Sequence, residues 1–319
     1  MVVQGTRHRT PISVALARSL PRTHAVPLRS DSVAAVSTSK KLAAQLGKRG
    51  PHPVLRGNLA LAGQPGVVFT PATGYNLPAV AFGHGWLLSA ERYADTLKHL
   101  ASWGIVAAAP DTERGPVPSH RGLAADLATT LDIVTGVRLG TGDISVHPDK
   151  LAVAGHGMGA SIAVLTAAAR SDVKAVAALY PAPSAPSAED AAATLDIPSI
   201  VLGDAALADS LNDNTVSLAG ALRAPTTFRR LDKASSDGIV EGRRLLSPLG
   251  VGGTEKSTVR TTRALLTAFL LFHLTGEEQY AELAGAGELK GTRVVDPHAP
   301  VQDQPKPNPL TAIRGVIGR

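Results

Sequence analysis

The sequence predicts an α/β protein with a mainly parallel central sheet and helices on both faces. From residue 58 onward, short apolar runs of strand character alternate with longer stretches of helical period, and such alternation is typical of βαβ units. One apolar run, residues 151–154, leads into a glycine-rich turn and then into a helix pattern of small residues. The chain has 319 residues, of which 44% are hydrophobic and 18% charged, so it is long and apolar enough to bury a substantial core.

The individual elements follow from the same pattern. Residues 58–62 and 66–69 are predicted to be strands that add to the sheet in antiparallel fashion, and residues 77–82 form the next strand, with Pro78 tolerated only at its start. Tyr93, Leu97 and Leu100 share one stripe of an amphipathic helix. The remaining strands are predicted at 105–109, 151–154, 173–179, 199–202 and 226–231, and the helices at 89–103, 121–137, 161–170, 215–222 and 258–274.

The turn after residues 151–154 has the sequence Gly-His-Gly-Met-Gly, with Gly157 at its centre. A strand, a sharp turn and a helix are the context of the nucleophile elbow, G-x-S-x-G, whose serine lies at a strained tip. In this chain Gly157 occupies the position of that serine. Glycine suits the tip, because other residues enter such backbone regions at a cost of about 1–3 kcal/mol. The alternative interpretation is a glycine-rich turn with no relation to catalysis.

Positive charge is concentrated at the N-terminus. Residues 1–56 carry ten lysines and arginines and one acid, whereas the rest of the chain has a net charge of −3. We interpret 1–56 as a basic arm, 57–290 as the folded domain and 291–319 as a proline-rich tail that is mostly irregular. Within the arm, residues 32–48 have a loosely helical pattern and are expected to lie along an anionic surface, to pack on the body of the protein or to stay solvated. An organelle transit peptide has a similar composition.

Composition also restricts the chemistry. Without cysteine the chain has no disulfide, thiolate nucleophile or zinc–thiolate site. No His, Asp or Glu spacing indicates a metal, and the glycine turn lacks the remaining glycine of a dinucleotide fingerprint, so we expect no cofactor. No apolar run approaches the roughly 18 residues of a membrane-spanning helix, and no secretory signal is recognised. The expected location is the cytoplasm or the periphery of a membrane.

Three motifs resemble a known family. They are the loop His84-Gly85-Trp86 after an early strand, the stretch from His99 to Asp111 that ends in Ala-Ala-Ala-Pro-Asp, and the elbow. Over residues 58–283 the chain resembles the α/β-hydrolases, most closely the bacterial cutinase-like polyester hydrolases, the chlorophyllase-like esterases and the dienelactone-hydrolase-like esterases. The resemblance implies an α/β-hydrolase fold.

The resemblance also implies a set of site residues. The backbone N–H groups of Trp86 and Met158 would form the oxyanion hole. The catalytic acid would be Asp209, with Asp204 as the nearby competitor, and Ser236 lies within one position of the expected histidine. The chain therefore departs from the family twice, at the nucleophile and at the general base.

These departures lead to the main functional hypothesis. Acyl transfer needs a nucleophile beside a base, but Gly157 has no side chain, and Ser236 does not shuttle protons near neutral pH as histidine does. We therefore expect a non-catalytic α/β-hydrolase homologue that binds an acyl or apolar small molecule or a protein partner. Residues 1–56 would add attraction to a partner or to an anionic membrane surface.

Two alternatives belong to other functional classes. An ester hydrolase with an unconventional catalytic residue would use His84, His156 or Asp209. Gly85 lies in the same pocket-flanking loop as His84. Ser161, one helical turn beyond the elbow, is expected to point into the packed interior rather than into the site. A nucleic-acid-associated protein would use the basic arm for phosphate contacts. The arm has no aromatic residue, which excludes base stacking from it and makes nucleic acid the weaker alternative.

Overall fold

The computed structural model describes residues 39–204, 213–223, 225–242 and 255–299. Within these ranges nine strands form a single sheet: β1 (Val54–Asn58), β2 (Gly66–Pro71), β3 (Gly74–Gly83), β4 (Val106–Pro110), β5 (Ile144–His156), β6 (Val173–Leu179), β7 (Ser199–Gly203), β8 (Thr226–Leu231) and β9 (Thr292–Val294). Their order in the sheet is β1-β2-β4-β3-β5-β6-β7-β8-β9.

The helices alternate with these strands along the chain. They are α1 (described over residues 39–46), α2 (Ala94–Ser102), α3 (His120–Gly136), α4 (Met158–Ala168), α5 (Ala188–Ala192), α6 (Thr215–Ala221), α7 (Lys256–Thr275) and α8 (Ala281–Ala284). Short 3₁₀ helices cover Leu59–Ala62, Ala90–Tyr93, Ser236–Ile239 and Glu278–Tyr280. None of the helices in the described ranges is long and apolar enough to cross a membrane.

The pairing of the strands confirms the predicted sheet. From β4 through β3, β5, β6 and β7 to β8 every neighbouring pair is parallel. The antiparallel pairs lie at the two sides of the sheet, where β1 pairs with β2, β2 pairs with β4, and β8 pairs with β9. The predicted antiparallel strand at residues 66–69 is therefore confirmed as β2, and the other antiparallel strand on this side, β1, ends at Asn58, where the residues predicted for it begin.

The parallel strands are buried on both faces because helices cover each of them. Along β5, Ala152 and Ala154 join the core that includes α2 and α7, whereas Leu151 and Val153 join the core that includes α3 and α4. This alternation gives a strand that is apolar along its whole second half. This buried half of β5 positions the turn that follows the strand at the carboxyl edge of the sheet.

The described part of the basic arm packs on the body of the protein. In α1, Leu46 is fully buried and Ala43 nearly so, and both belong to the core beneath α2 and α7. This is one of the three outcomes expected for residues 32–48, and it holds for residues 39–46. The role of the arm and the boundaries of the arm, domain and tail remain predictions.

One predicted strand is wrong. Residues 58–62 do not extend the sheet, because β1 ends at Asn58 and a 3₁₀ helix begins at Leu59. The Asn58 side chain accepts a hydrogen bond from the backbone N–H of Ala60 at 2.9 Å, and Gly63 ends the turn with a φ of 90°. A capping asparagine before and a left-handed glycine after a short apolar run thus favour a helical turn over a strand.

Two further differences concern β3 and β9. Pro78 lies in the middle of β3 rather than at its start, at a place where the pairing with β5 shifts register between Leu77 and Ala79. Proline is tolerated at such bulges because no ladder hydrogen bond is lost there. Thr292–Val294, in the segment predicted to be irregular, pairs with β8 as β9; three residues are too few to show a strand period.

Candidate functional site

Gly157 forms the tip of the turn between β5 and α4. Its backbone has φ 56° and ψ −121°, a combination that side-chain-bearing residues adopt only with strain. Its N–H donates to the carbonyl oxygen of Leu179 at 3.0 Å, and its own carbonyl accepts from Ala160 and Ala182, each at 3.1 Å. Gly157 is partly exposed between two buried neighbours. The turn therefore has the geometry of a nucleophile elbow, with a bare tip facing outward.

The glycines around the tip differ in the space they have. A Cβ on Gly155 would overlap the carbonyl oxygen of Gly159, and a Cβ on Gly159 would overlap that of Gly83. A Cβ on Gly157 would have its nearest neighbour, the Cα of Gly85, at 3.8 Å, which is ordinary van der Waals contact. Close approach of β3, β5 and α4 thus requires the outer glycines, whereas a side chain at position 157 has room.

The two predicted oxyanion-hole residues are Met158, which directly follows the tip, and Trp86, which follows Gly85, the residue nearest to the space at position 157. Met158 is buried and is the first residue of α4. Its N–H is therefore one of the first four of the helix, which have no carbonyl partner in the preceding turn of that helix. Trp86 lies in the loop after β3, where the residue is 55% exposed and its Nε1 donates to the carbonyl oxygen of Pro116 at 3.2 Å. Their action as an oxyanion hole remains a prediction.

His156 is held through both nitrogens of its ring. Nδ1 lies 2.7 Å from the hydroxyl of Tyr93, and Nε2 lies 2.8 Å from the carbonyl oxygen of Ser236. The Tyr93 hydroxyl also accepts from the N–H of Gly85 at 3.0 Å. Because a carbonyl oxygen only accepts, Nε2 carries the proton and Nδ1 accepts from the tyrosine. The buried ring therefore joins three segments that meet at the elbow.

Tyr93 is the site residue that sequence reasoning missed. The pattern identifies it correctly as part of a buried stripe, and it is fully buried, but its hydroxyl links the loop of Gly85 to His156. The one available signal is its residue type, since a buried tyrosine usually finds a hydrogen-bond partner for its hydroxyl.

Ser236 lies beside the elbow, within hydrogen-bonding distance of His156; its assignment to the histidine position remains a prediction. It begins the 3₁₀ helix that follows β8, with its side chain exposed and its carbonyl oxygen bound to His156. The preceding Ser235 donates its hydroxyl to Glu255 at 2.7 Å, and Thr258 donates to the same carboxylate at 2.6 Å. Burial alone would raise the pKa of Glu255, but the hydrogen bonds from Thr258 and Ser235 outweigh it and lower the pKa. Glu255 thus holds this loop in place.

The other candidate side chains are engaged in packing contacts. His84 is fully buried, with its ring nitrogens 2.9 Å from the carbonyl oxygen of Gly85 and 2.7 Å from that of Thr112. It fastens the loop after β3 to the segment after β4. Ser161 is buried and donates to the carbonyl oxygen of Ala182 at 2.6 Å, as its predicted packing role requires.

Of the two candidate catalytic acids, Asp204 lies within the described residues. Asp209 lies outside the described residues. Asp204, its competitor, follows β7, and its backbone carbonyl accepts from Nε of Arg230 at 3.1 Å. Nearby, Tyr180 has a φ of 50° and contacts the His156 ring edge-on at 6.1 Å between centroids. Burial raises the pKa of Tyr180, and the negative charges of Asp204 and Glu255 add to this effect. Within the described ranges no three His, Asp or Glu side chains converge as metal ligands would.

A comparison with protein families identifies the architecture. A family model described as Chlorophyllase matches residues 54–184, less than half of the chain. The matched range includes the loop of His84 and Trp86 and the elbow with the helix after it. This match coincides with a mostly parallel sheet in which the elbow follows the central strand β5. The chain has the α/β-hydrolase fold. Among curated proteins, none matches it.

The match supports the α/β-hydrolase superfamily and a hydrolase-like ancestry. It ends before the acid position and before the loop of Ser236. The finer placement among cutinase-like, chlorophyllase-like and dienelactone-hydrolase-like branches therefore remains a prediction, as does the loss of catalysis.

Proposed function

We propose that the protein is a non-catalytic α/β-hydrolase homologue that binds an acyl or apolar ligand at its elbow. The observation that carries this proposal is Gly157, which has the strained backbone of an elbow tip and no side chain to act as a nucleophile. Nucleophilic catalysis requires such a side chain within reach of a base.

The histidines near the tip support the same conclusion. Both ring nitrogens of His156 are hydrogen-bonded, and the Nε2 proton is directed at the carbonyl of Ser236. Both ring nitrogens of His84 face carbonyl oxygens in a fully buried setting. A general base needs a free lone pair within reach of the proton that it abstracts, so neither ring is arranged to activate water or a substrate hydroxyl.

The features that remain at the tip suit binding. The N–H of Met158 at the start of α4 is a donor for a carbonyl or carboxylate oxygen. Trp86, a half-exposed aromatic residue, follows Gly85, whose Cα is the atom nearest to the space at position 157. A few polar groups within a mainly apolar surface are typical of small-molecule sites. An acyl compound would place its oxygen on the N–H group and its chain against the indole.

We expect the wild-type protein to hydrolyse p-nitrophenyl acetate and p-nitrophenyl octanoate at the rate of buffer alone. A Gly157→Ser, Ser236→His double variant is expected to show measurable hydrolysis, since position 157 has room for a side chain and the loop of Ser236 reaches the elbow. The assay follows release of nitrophenolate against protein concentration.

Gly63→Ser is the matched control for this experiment, because Gly63 also has a positive φ and open space around it but lies far from the elbow in the 3₁₀ turn after β1. Hydrolysis by wild type that scales with protein across independent purifications would overturn the proposal. The variants His84→Gln and His156→Gln would then show which ring takes part. A folded but silent double variant would contradict the assignment of Ser236 to the histidine position.

Binding is expected to change the fluorescence of Trp86. The chain has two tryptophans, and a Trp103→Phe variant leaves Trp86 as the single reporter. Titration with sodium octanoate should quench or shift its emission in a saturable manner, whereas a Trp86→Phe variant, which keeps Trp103, should show no change. A response of equal size in both variants would place the ligand elsewhere and contradict binding at the elbow.

A further inference from the structure

Arg229 on β8 is a buried cation at the far edge of the sheet from β1. Its side chain is 1% exposed. Nη1 donates to the hydroxyl of Thr292 at 3.0 Å, and Nη2 donates to the carbonyl oxygens of Gly285 and Gly287 at 2.6 and 2.9 Å. These partners fix the plane of the guanidinium beneath the loop that connects α8 to β9.

Among the residues that the structure describes, Arg229 has no counter-ion. Its Nε is buried without a hydrogen-bond partner, and none of the described aspartates and glutamates forms an ion pair with it. Burial lowers its pKa to about 10, which still leaves the guanidinium protonated at neutral pH. A buried, unpaired charge is costly in a folded protein, so a bound anion would lower the free energy of this arrangement.

A cavity of about 390 Å³ adjoins the guanidinium, within the size range of small-molecule sites. Its lining includes Arg229 together with Glu288 and Lys290 from the loop after α8. Arg293 also lines it, but in the β8–β9 ladder Arg293 is opposite Arg230, whereas Arg229 is opposite Val294. The side chain of Arg293 therefore projects from the other face of the sheet, where it pairs with Asp232. Two cations and one acid face the cavity.

We propose that this cavity binds a small oxyanion, a carboxylate or a phosphate, between Arg229 and Lys290. Both hydrogens of Nη2 are donated to the loop carbonyls, so Nε–H and the second hydrogen of Nη1 are the guanidinium donors that remain for an oxyanion. Lys290 lies on the exposed rim and adds a point charge, while Glu288 opposes the anion. The site is separate from the elbow and does not depend on the function proposed there.

The test compares thermal unfolding and isothermal titration calorimetry in sodium phosphate, sodium acetate and sodium chloride at equal ionic strength. Since phosphate stabilises proteins nonspecifically, the decisive readout is the effect of rim variants on the calorimetric affinity. Lys290→Gln is expected to weaken binding about threefold and Glu288→Gln to strengthen it about threefold, as expected for single charges near the surface. Phosphate binding without acetate binding, or the reverse, identifies the class of oxyanion.

Both variants replace exposed side chains, so they test the site without removing the loop contacts of Arg229. Lys174→Gln is the charge-matched control on the distant strand β6 and should leave the affinity unchanged. If no saturable heat is observed with either oxyanion, or if Lys290→Gln and Glu288→Gln bind as wild type does, the cavity is not an anion site. Arg229 would then serve only to hold the loop carbonyls.

Discussion

Replacing Gly155 by alanine is expected to lower the free energy of unfolding by at least about 3 kcal/mol, at the upper end of the usual cost of overpacking. The added Cβ would overlap the carbonyl oxygen of Gly159 and lie 2.8 Å from the backbone nitrogen of Ala160. These atoms belong to the first turn of α4 and move only if the helix shifts away from β5. Urea denaturation followed by circular dichroism measures the loss.

Two alanine variants serve as references. At Gly157 the new Cβ has space, and the expected cost of about 1–2 kcal/mol comes from the positive φ. At Gly115, which has open surroundings and no positive φ, the change should be within about 0.5 kcal/mol. If Gly155→Ala is no less stable than Gly157→Ala, close packing of the strand and helix is not what requires glycine at position 155.

This ranking bears on how the elbow sequence is interpreted. Gly155 and Gly159 allow β3, β5 and α4 to approach closely, and this requirement exists whether or not the tip performs chemistry. The G-x-x-x-G spacing by itself is therefore a signal for the fold. The central position is the one that carries the nucleophile in the G-x-S-x-G motif, and in this chain that position is Gly157.

Much of the fold could be predicted from the sequence because its elements are long or strongly apolar. The helix α7 and the buried strands β5, β6 and β8 have patterns that extend over several residues, and the structure confirms them. The prediction of two short elements failed for a physical reason. The capped turn at Leu59–Ala62 and the three-residue strand Thr292–Val294 depend on single hydrogen bonds or on a neighbouring strand, which leave little trace in the local sequence.

The site was predictable in position but not in its contacts. The elbow and the loop of Trp86 carry local motifs, so their proximity follows from the fold. The bonds of His156 reach Tyr93 and Ser236, which are 63 and 80 residues away in the chain, and no periodicity encodes such partners. Arg229 is a similar case, because arginine is rarely buried without an acidic partner and the pattern of a strand gives no sign that this arginine is buried.

We expect the stability of the protein to fall as the pH drops below about 6.5, and we assign up to roughly 3 kcal/mol of this loss to His99. His99 is 2% exposed. Burial, together with the positive charges of Arg263 and Arg49, lowers its pKa from 6.5 to about 4, although a hydrogen bond with the backbone of Leu46 opposes this change. At pH values between about 4 and 6.5 the ring is therefore neutral in the folded protein but protonated in the unfolded chain.

The direction in which the free energy of unfolding changes with pH follows from this difference in proton binding. Between pH 6.5 and about 4 the unfolded chain binds a proton at His99 that the folded protein does not bind. The contribution of His99 to the free energy of unfolding is therefore fully present above pH 6.5, the unfolded pKa, and is lost as the pH falls through the folded pKa of about 4. His99→Gln removes the titrating group and should flatten the profile of unfolding free energy against pH. His52→Gln, at an exposed position, is the control for replacing a histidine by glutamine.

Glu241 makes the comparison with a variant necessary. Its carboxylate accepts from the N–H groups of Asp95 and Thr96 at the start of α2 and pairs with Arg263 at 2.9 Å. Burial raises the pKa of Glu241 although these partners oppose it, so its contribution has the opposite sign and decreases as the pH rises through the folded pKa. Because Glu241 is present in both proteins, the difference between wild type and His99→Gln isolates the histidine. If the two profiles are parallel down to pH 4, His99 is not the residue whose burial resists protonation.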